Sequence, residues 1–232
     1  MPTDPHAESL LLPTVLHDEP HWFVVNKPAG MHTVAQPNND APSVEAWLRA
    51  TRPDRADIEE CGLVHRLDLD TSGCVLVAKS AKARVWLRDA FSGRGGDIRK
   101  MYLARVEGFF AERVIAGAFT LSFSSRHKGS AKVSVGPRGE PETIGRCRWN
   151  VKSSSGAGEP ASTLLEVELL GPGRRHQIRA GMAHEGHPLV GDTLYGARAL
   201  GTDIAPIRAI CLHAWRVEVE GIQVECPPPA WA

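Results

Sequence analysis

The side chains best suited to chemistry are concentrated in residues 65–73, which read His-Arg-Leu-Asp-Leu-Asp-Thr-Ser-Gly. This segment places an imidazole, a guanidinium and two carboxylates, Asp68 and Asp70, just ahead of the apolar run at 74–78. The pattern predicts a loop held by a rigid strand, and such loops commonly carry reactive side chains. Taken alone, the segment is more typical of a solvated turn, so its function depends on the rest of the chain.

The neighbouring sequence turns this loop into a recognisable motif. His-Arg-Leu-Asp-x-x-Thr-Ser-Gly, followed by an apolar strand and Ala78-Lys79, resembles the signature of the RluA family of RNA pseudouridine synthases. Further segments match that family in the same order, and together they extend the resemblance over residues 14–219: a hairpin with a Lys-Pro-Ala-Gly turn at 15–30, Lys-Met-Tyr-Leu-Ala-Arg-Val-Glu-Gly at 100–108, Gly-Arg-Arg-His-Gln-Ile-Arg at 173–179, Gly-His-Pro-Leu-Val-Gly-Asp at 186–192 with Tyr195, and Leu-His-Ala at 212–214.

The resemblance implies a role for each matching residue. It implies that Asp68 is the catalytic carboxylate, that Tyr102 lines the active site and that Arg179 is the basic partner of Asp68. Arg66 is expected to help displace the target base. The other residues expected to bind substrate are His65, Leu67, Thr71, Arg174, Arg175, His176 and Ile178.

The chain departs from the family motif at three positions. Gly181 stands where a second histidine is common, Arg175 replaces a threonine, and Pro172 stands where another threonine is common. These changes lie at the start of a predicted helix and are expected to alter contacts to RNA. They leave Asp68 and Arg179 unchanged.

The implied reaction breaks the N1–C1′ bond of uridine, rotates the uracil and rejoins it through C5. It needs no redox step, phosphate transfer or external nucleophile, so neither a cofactor nor a metal is expected. The carboxylate of Asp68 could attack C1′, add to the base or take the 2′ proton, and the sequence leaves these routes open. Tyr102 could stack on the uracil, with its hydroxyl near the proton lost from C5. The simpler alternative for Tyr102 is a core aromatic residue on a strand.

Charge composition does not decide whether the partner is anionic, because 27 basic residues balance 27 acidic ones. The basic residues comprise 7 lysines and 20 arginines, a bias that suits bidentate phosphate binding but also follows from genome base composition. The expected partner is a structured ribosomal or transfer RNA, whose target base must leave its stack at a cost of a few kcal/mol. Three basic clusters are predicted to hold it: Arg94, Arg99 and Lys100; Arg126, His127, Lys128 and Lys132; and Arg174 with Arg175.

Periodicity predicts more strands than helices. The apolar patterns predict short helices at 43–50, 80–91 and 176–185, a polar surface excursion at 124–142 and a flexible link at 153–160. Strands are predicted at 14–17, 21–26, 74–78, 100–107, 143–151, 162–170, 211–219 and 222–225. Strands that follow one another directly favour an α+β fold. The resemblance implies the pseudouridine synthase fold, a central mixed and mostly antiparallel sheet flanked by helices and loops.

The organisation of the chain suggests a single catalytic domain at 14–232 after an N-terminal extension at 1–13, without the S4 RNA-binding domain of many relatives. Five scattered cysteines without a Cys-x-x-Cys pair indicate reduced thiols in a cytoplasmic protein. No apolar stretch approaches the roughly 20 residues of a membrane helix, so a soluble protein is expected. A site built from one chain permits a monomer.

Three other functions fit parts of the sequence. A metal hydrolase could use ligands among His65, Asp68, Asp70, His184, His187 and Asp192, although Pro188 argues against a helix through His187. A glycosidase could use the Asp68 and Asp70 carboxylates. An RNA-binding module without turnover would keep the fold alone, and the intact Asp68, Tyr102 and Arg179 argue against it.

Overall fold

The computed structural model describes residues 12–37, 40–125, 127, 129–155, 161–198 and 210–232. Within these ranges, ten strands form one sheet and three α-helices pack on it. The strands are β1 (Thr14–Asp18), β2 (Trp22–Lys27), β3 (Ser72–Ala78), β4 (Ile98–Glu107), β5 (Ala116–Ser124), β6 (Ser134–Gly136), β7 (Ile144–Ser155), β8 (Ser162–Leu170), β9 (Leu212–Val219) and β10 (Ile222–Glu225). The helices are α1 (Val44–Thr51), α2 (Ala81–Phe91) and α3 (Gln177–His184).

The sheet is antiparallel except at one pair of strands in its middle. Its order is β1-β2-β3-β9-β4-β8-β7-β5-β6, with β10 paired to β9, and only β3 and β9 run parallel among the described strands. At this junction Gly73 has a φ of +111° and lies so close to Ala214 that a Cβ would collide with the Ala214 backbone. Glycine is required there because no other residue permits so close an approach of two backbones. The junction fixes the start of β3, directly after the motif loop.

Alternating side chains divide the core between the two faces of the sheet. On β2, Phe23 and Val25 join one buried cluster while Trp22 and Val24 join the other, as the two-residue repeat of a strand requires. The first face is covered by α1 and α3, and the second by α2. Because α3 carries Arg179, the first face brings that residue towards the motif loop.

Local signals in the sequence account for two of the helices. Ser43 precedes α1 and its hydroxyl accepts a hydrogen bond from Ala46 N at 3.1 Å; Ser80 does the same for Ala83 N ahead of α2, also at 3.1 Å. Each cap satisfies one of the backbone donors that a helix start leaves free. The helices predicted at 43–50 and 80–91 are confirmed, as is the α+β class with its mixed, mostly antiparallel sheet.

At the end of the sheet formed by β7, β5 and β6, the sequence analysis missed one strand and predicted another too short. β5 is absent from the predicted elements, although its alternating Phe119, Leu121 and Phe123 are buried in a strand pattern. The predicted link at 153–160 begins inside β7, which continues to Ser155 because it pairs with β8; residues 156–160 lie outside the described ranges. The polar excursion at 124–142 contributes the short strand β6. Across the described chain, no helix combines the length and apolar character needed to cross a membrane.

Candidate active site

The motif loop, the part of residues 65–73 that precedes β3, is hydrogen-bonded to the segment that follows β2. The Thr33 hydroxyl donates to Leu67 O at 2.9 Å and accepts from Leu67 N at 3.0 Å, so it binds both backbone groups of the residue before Asp68. On the other side of Asp68, Leu69 O accepts hydrogen bonds from Gly30 N and from the Lys27 ammonium, both at 3.0 Å. The backbone around Asp68 is therefore held on both sides.

The Asp68 carboxylate faces a guanidinium that is itself held by a second acid. Arg179 Nη1 donates to Asp68 Oδ2 at 3.3 Å, while its Nε and Nη2 donate to the two oxygens of Asp192 at 2.6 and 3.0 Å. Asp192 is fully buried, whereas the side chain of Asp68 is 23% exposed. The bidentate contact fixes the plane of the guanidinium and leaves one edge for Asp68.

The two acids favour the charged form of Arg179. Burial alone would lower the pKa of Arg179, but its hydrogen bonds to Asp192 and the charges of Asp192 and Asp68 raise that pKa above its ordinary value. The guanidinium thus stays positive and stabilises a carboxylate at Asp68. Among the described residues, none donates a hydrogen bond to Asp68 Oδ1. That oxygen is available to a substrate.

Tyr102 on β4 lies at the bottom of the same site. Its side chain is buried, and its hydroxyl makes no hydrogen bond within the described chain. Burial, followed by the charge of Asp68, raises the pKa of Tyr102 well above the ordinary value for a phenol. The phenol is therefore protonated at neutral pH and presents a ring and an uncommitted hydroxyl.

His176 and Tyr195 complete the surroundings of Asp68. His176 has a left-handed backbone, φ +53°, just before α3, and its Nε2 lies 3.8 Å from Asp68 Oδ2. Its Nδ1 is 2.8 Å from the Tyr195 hydroxyl, which also accepts a hydrogen bond from Val133 N at 3.0 Å. Burial lowers the pKa of His176 despite the opposing charge of Asp68. When the Tyr195 hydroxyl donates its hydrogen to Nδ1, that nitrogen carries no proton of its own. The single proton of the neutral ring is then on Nε2, the nitrogen nearer to Asp68.

Nine of the eleven residues expected at the site line one small cavity of about 70 Å³. They are Arg66, Leu67, Asp68, Thr71, Tyr102, Arg174, His176, Ile178 and Arg179, joined by Leu169, Gln177 and Leu212. The other two, His65 and Arg175, line an adjoining cleft instead. The segments that resemble a known family are thus brought to a single place, although they are far apart in sequence.

Comparison with known proteins agrees with this geometry. Residues 21–184 match the family model described as RNA pseudouridylate synthase. The chain belongs to this family. Its resemblance to the RluA family is thereby confirmed, and the relatives that it matches are ribosomal large subunit pseudouridine synthases.

Two relatives illustrate the degree of similarity. The ribosomal large subunit pseudouridine synthase D of Xylella fastidiosa is 36% identical over 216 residues, which cover 88% of this chain and 60% of the relative. The synthase D of Xanthomonas campestris pv. campestris is 34% identical over 248 residues, covering 98% of this chain and 70% of the relative. The chain therefore spans about three fifths to seven tenths of the length of these two relatives.

Solved structures show the same fold. Human RNA pseudouridylate synthase domain containing 4 superposes with a TM-score of 0.69 at 19% identity, covering 94% of this chain and 89% of that protein. Human RNA pseudouridylate synthase domain containing 1 gives a TM-score of 0.66 at 21% identity, covering 95% and 84%. The predicted pseudouridine synthase fold is confirmed.

Some residues predicted to bind substrate have protein partners in this member of the family. His65 Nε2 accepts a hydrogen bond from Leu76 N at 3.1 Å, and its ring stacks on Phe91 with centroids 4.1 Å apart. Burial lowers the pKa of His65 to about 3. Arg175 donates to Ser130 O at 2.7 Å and to Ala131 O at 2.9 Å. Substrate contact by His65 and Arg175 stays a prediction.

The first predicted basic cluster also has protein partners, and its contact with RNA stays a prediction. Lys100 is buried, and its ammonium donates to Phe91 O at 3.2 Å and to Gly171 O. Arg99 is paired with Glu168 and Glu218, and Arg94 is paired with Asp89. These partners come from distant strands and turns, which a cluster in sequence does not reveal. In the second cluster, Arg126 and Lys128 lie outside the described residues.

Two important residues were not expected at the site. Asp192 was considered only as a metal ligand, yet it holds Arg179; the Gly-Asp pair that ends the matching segment at 186–192 was the available signal. Lys27 is fully buried and donates to the carbonyls of Pro28, Met31 and Leu69, so it joins the Lys-Pro-Ala-Gly turn to the motif loop. Burial lowers the pKa of Lys27 to about 7.

The structure also accounts for one departure from the family motif. A Cβ on Gly181 of α3 would collide with the ring of Phe119 on β5. The helix therefore packs on the sheet more closely than a larger residue would allow, and a histidine has no room.

As for the metal-hydrolase alternative, the described residues contain no group of three or more potential ligands, and α3 ends at His184, before His187.

Proposed function

We propose that this chain isomerises uridine to pseudouridine in RNA, with Asp68 as the catalytic carboxylate. The observation that carries the proposal is the arrangement of Asp68, Arg179 and Asp192 beside Tyr102 in one small cavity. It provides a charged carboxylate with a free oxygen next to a buried aromatic ring. The family of the chain supports the same chemistry.

Each residue has a distinct task in this proposal. Asp68 approaches the sugar–base junction with the oxygen that Arg179 leaves free, and the hydrogen bond from Arg179 orients the carboxylate. The Tyr102 ring packs against the uracil, and its hydroxyl contributes a hydrogen bond. Because its raised pKa disfavours the phenolate, Tyr102 is not the base that removes the C5 proton. No cofactor takes part in the reaction.

The target base has to leave its stack before it can enter a cavity of this size. Arg66 is exposed at the rim, and its side chain makes no hydrogen bond or ion pair with any described residue. It is free to occupy the position that the flipped base vacates, which offsets part of the unstacking cost of a few kcal/mol. Leu67, Thr71 and Ile178 then enclose the base from the side.

The substrate is a structured RNA, and ribosomal RNA is the first choice because the relatives are named for the ribosomal large subunit. A transfer RNA is the alternative, and one chain acting as a cytoplasmic monomer suffices for the site. Purified protein and ribosomal RNA from a strain lacking the gene should give pseudouridine without added metal. Position-resolved mapping of the product identifies the target uridine.

Two isosteric variants make the assay decisive. Asp68→Asn should abolish turnover while the thermal unfolding profile stays close to that of the wild type. Asp70→Asn, a matched change two residues away, should retain turnover, because Asp70 makes no hydrogen bond to Arg179. Turnover by Asp68→Asn would end the proposed role of Asp68, and equal losses in both variants would favour the glycosidase-like pair of carboxylates.

A further inference from the structure

A larger cleft adjoins the cavity that contains Asp68. Its volume is about 480 Å³, against about 70 Å³ for the cavity itself. Pockets that enclose small ligands usually range from about 300 to 1,000 Å³, so the cavity has no room for a whole nucleotide while the cleft does. The two share Arg66, Asp68, Tyr102, Leu169 and Arg174, so a nucleotide can place its base in one and its backbone in the other.

The cleft is strongly cationic although the whole chain has no net charge. Four arginines line it (Arg66, Arg88, Arg174 and Arg175), and Asp68 is the only carboxylate among its described lining residues. Such a local excess of positive charge attracts a polyanion and raises its concentration at the surface. The chemistry of the lining fits phosphate groups.

Arg174 presents its guanidinium as a preformed fork. Its Nε donates to Ile144 O at 2.8 Å, which fixes the plane of the group. Its two terminal nitrogens make no hydrogen bond with any described residue, so they are available to two oxygens of one phosphate. Arg175 differs, because both of its terminal nitrogens are bound to the carbonyls of Ser130 and Ala131.

Arg88, in the last turn of α2, also lines the cleft. Its one ion pair in the described chain is to Glu60 at 3.5 Å, and its side chain is 48% exposed. Glu60 is bound more closely by Arg84, at 2.6 Å. Arg88 can therefore exchange this weak partner for a phosphate at little cost, since an exposed ion pair contributes little to stability.

A buried ammonium holds the two walls together. Lys100 donates to Phe91 O, at the end of α2, and to Gly171 O, in the turn that leads to Arg174. Phe91 and Ser92 line one wall of the cleft, and Pro172 and Gly173 line the other. The positive charge of Lys100 also offsets the negative end of the α2 dipole, which would otherwise repel a phosphate.

We propose that this cleft binds the phosphate–sugar backbone of the RNA strand immediately beside the target uridine. Arg88 and Arg174 contact the phosphate from opposite walls, and Lys100 is a positioning residue that sets the width of the cleft. The assignment rests on the proposed function in one respect: it takes the cavity at Asp68 as the site of the target base.

The strand is held unequally on the two sides of the uridine. A second cleft, of about 200 Å³, shares Arg66 with the first. It is lined by both Asp68 and Asp70, and its Arg175 and Arg179 are already bound to protein groups. The phosphate on that side is therefore held weakly. One phosphate next to the uridine should matter much more than the other.

The test measures binding separately from turnover. The probe is a short, fluorescein-labelled single-stranded RNA with one uridine among adenosines, titrated against the full chain carrying Asp68→Asn, so that no product forms. Adding Arg88→Gln should weaken binding about tenfold. It should also reduce the slope of log affinity against log salt by about 0.7, the value for one phosphate on a single strand. Arg88→Lys should recover much of the affinity.

Two controls complete the design. Arg49→Gln on α1 removes an arginine of similar exposure, 53%, which pairs with Glu45 at 3.0 Å and lines neither cleft. It should leave affinity and salt slope unchanged. Probes with a neutral methylphosphonate on one side or the other of the uridine should bind the Asp68→Asn chain unequally. The methylphosphonate that weakens this binding should have no further effect once Arg88→Gln is added.

The outcomes separate this inference from the proposed function. Equal effects of Arg88→Gln and Arg49→Gln, or equal effects of the two methylphosphonates, overturn the cleft assignment even if the wild type makes pseudouridine. If the wild type makes none but the predicted binding pattern is seen, the cleft assignment stands and the proposed activity fails. Failure of the Asp68→Asn chain to bind the probe overturns the assignment as well.

Discussion

Two kinds of buried cation surround the site, and they have different partners. Arg179 is bound to the carboxylates of Asp68 and Asp192. Lys27 and Lys100 are bound only to backbone carbonyls, three for Lys27 and two for Lys100. The pKa values follow this difference: that of Arg179 is raised, whereas burial lowers those of Lys27 and Lys100 to about 7 and about 8.

The difference shows how the molecule divides two tasks. A buried guanidinium paired with carboxylates keeps its charge and can act electrostatically on Asp68. A buried ammonium among carbonyls gains directional hydrogen bonds but pays for desolvation without a counter-charge in contact. Lys27 and Lys100 accordingly hold segments in place, the motif loop in one case and the cleft walls in the other. Four predictions test this division.

The largest effect is expected from removing the carboxylate that holds Arg179. Asp192→Asn keeps the shape of the side chain but leaves a buried guanidinium short of one counter-charge, so the free energy of unfolding should fall by about 3–5 kcal/mol. Pseudouridine formation should fall as well, because Arg179 loses its fixed plane. Urea unfolding and a turnover assay at a permissive temperature measure the two effects. A loss below about 1 kcal/mol would contradict the distinction between the two kinds of cation.

A smaller loss is expected at Lys100. Lys100→Met retains the apolar stem and deprives the carbonyls of Phe91 and Gly171 of their donor, which should cost about 1–3 kcal/mol of unfolding free energy. Removal of a poorly solvated ammonium offsets part of this cost. Urea unfolding of the two proteins at neutral pH provides the measurement. A more stable variant would show that the desolvation cost exceeds the value of the two hydrogen bonds.

The pH dependence of stability should reveal the ammonium at Lys27. Its pKa is about 7 in the folded chain and 10.5 when exposed. Between these values the unfolded state binds more protons, so this side chain makes the protein more stable as pH rises. The free energy of unfolding of the wild type, relative to Lys27→Met, should therefore increase by up to about 1.4 kcal/mol per pH unit above pH 7.

Urea unfolding of both proteins at several pH values isolates this effect, since groups common to both cancel in the difference. Parallel curves would mean that Lys27 is not a poorly solvated ammonium. A difference that shrinks with rising pH would mean that Asp68 and Asp70, whose charges favour the protonated lysine, outweigh burial.

The smallest effect is expected from an exposed ion pair. Asp89→Asn removes the carboxylate that accepts from Arg94 at 2.8 Å, but Arg94 is 73% exposed, so the change should be within about 0–1 kcal/mol. This variant is the reference for Asp192→Asn, because both replace an aspartate paired with an arginine. Comparable losses for the two would remove the role assigned to burial.

Much of the local structure was readable from the sequence. Ser43 and Ser80 cap their helices because a serine side chain satisfies a backbone donor a few residues away, an interaction that depends only on neighbours in the chain. The buried strands β2 and β3 were likewise visible as apolar runs. The motif at 65–73 and the segments that follow it were sufficient to predict the family, and through it the fold and most of the residues that line the cavity.

What the sequence could not decide were the partners of charged residues. Asp68 and Arg179 are 111 positions apart, Lys100 and Gly171 are 71 apart, and Arg99 and Glu218 are 119 apart. Whether a basic residue becomes a buried anchor or a surface cation depends on which distant backbone or carboxylate the fold brings to it. The chain by itself determined that the aspartate of the family motif lies before a buried strand. Only the tertiary structure decided that Asp192 holds the arginine next to Asp68, that Lys100 is buried and that Arg88 and Arg174 line one cleft, because each depends on the packing of segments far apart in sequence.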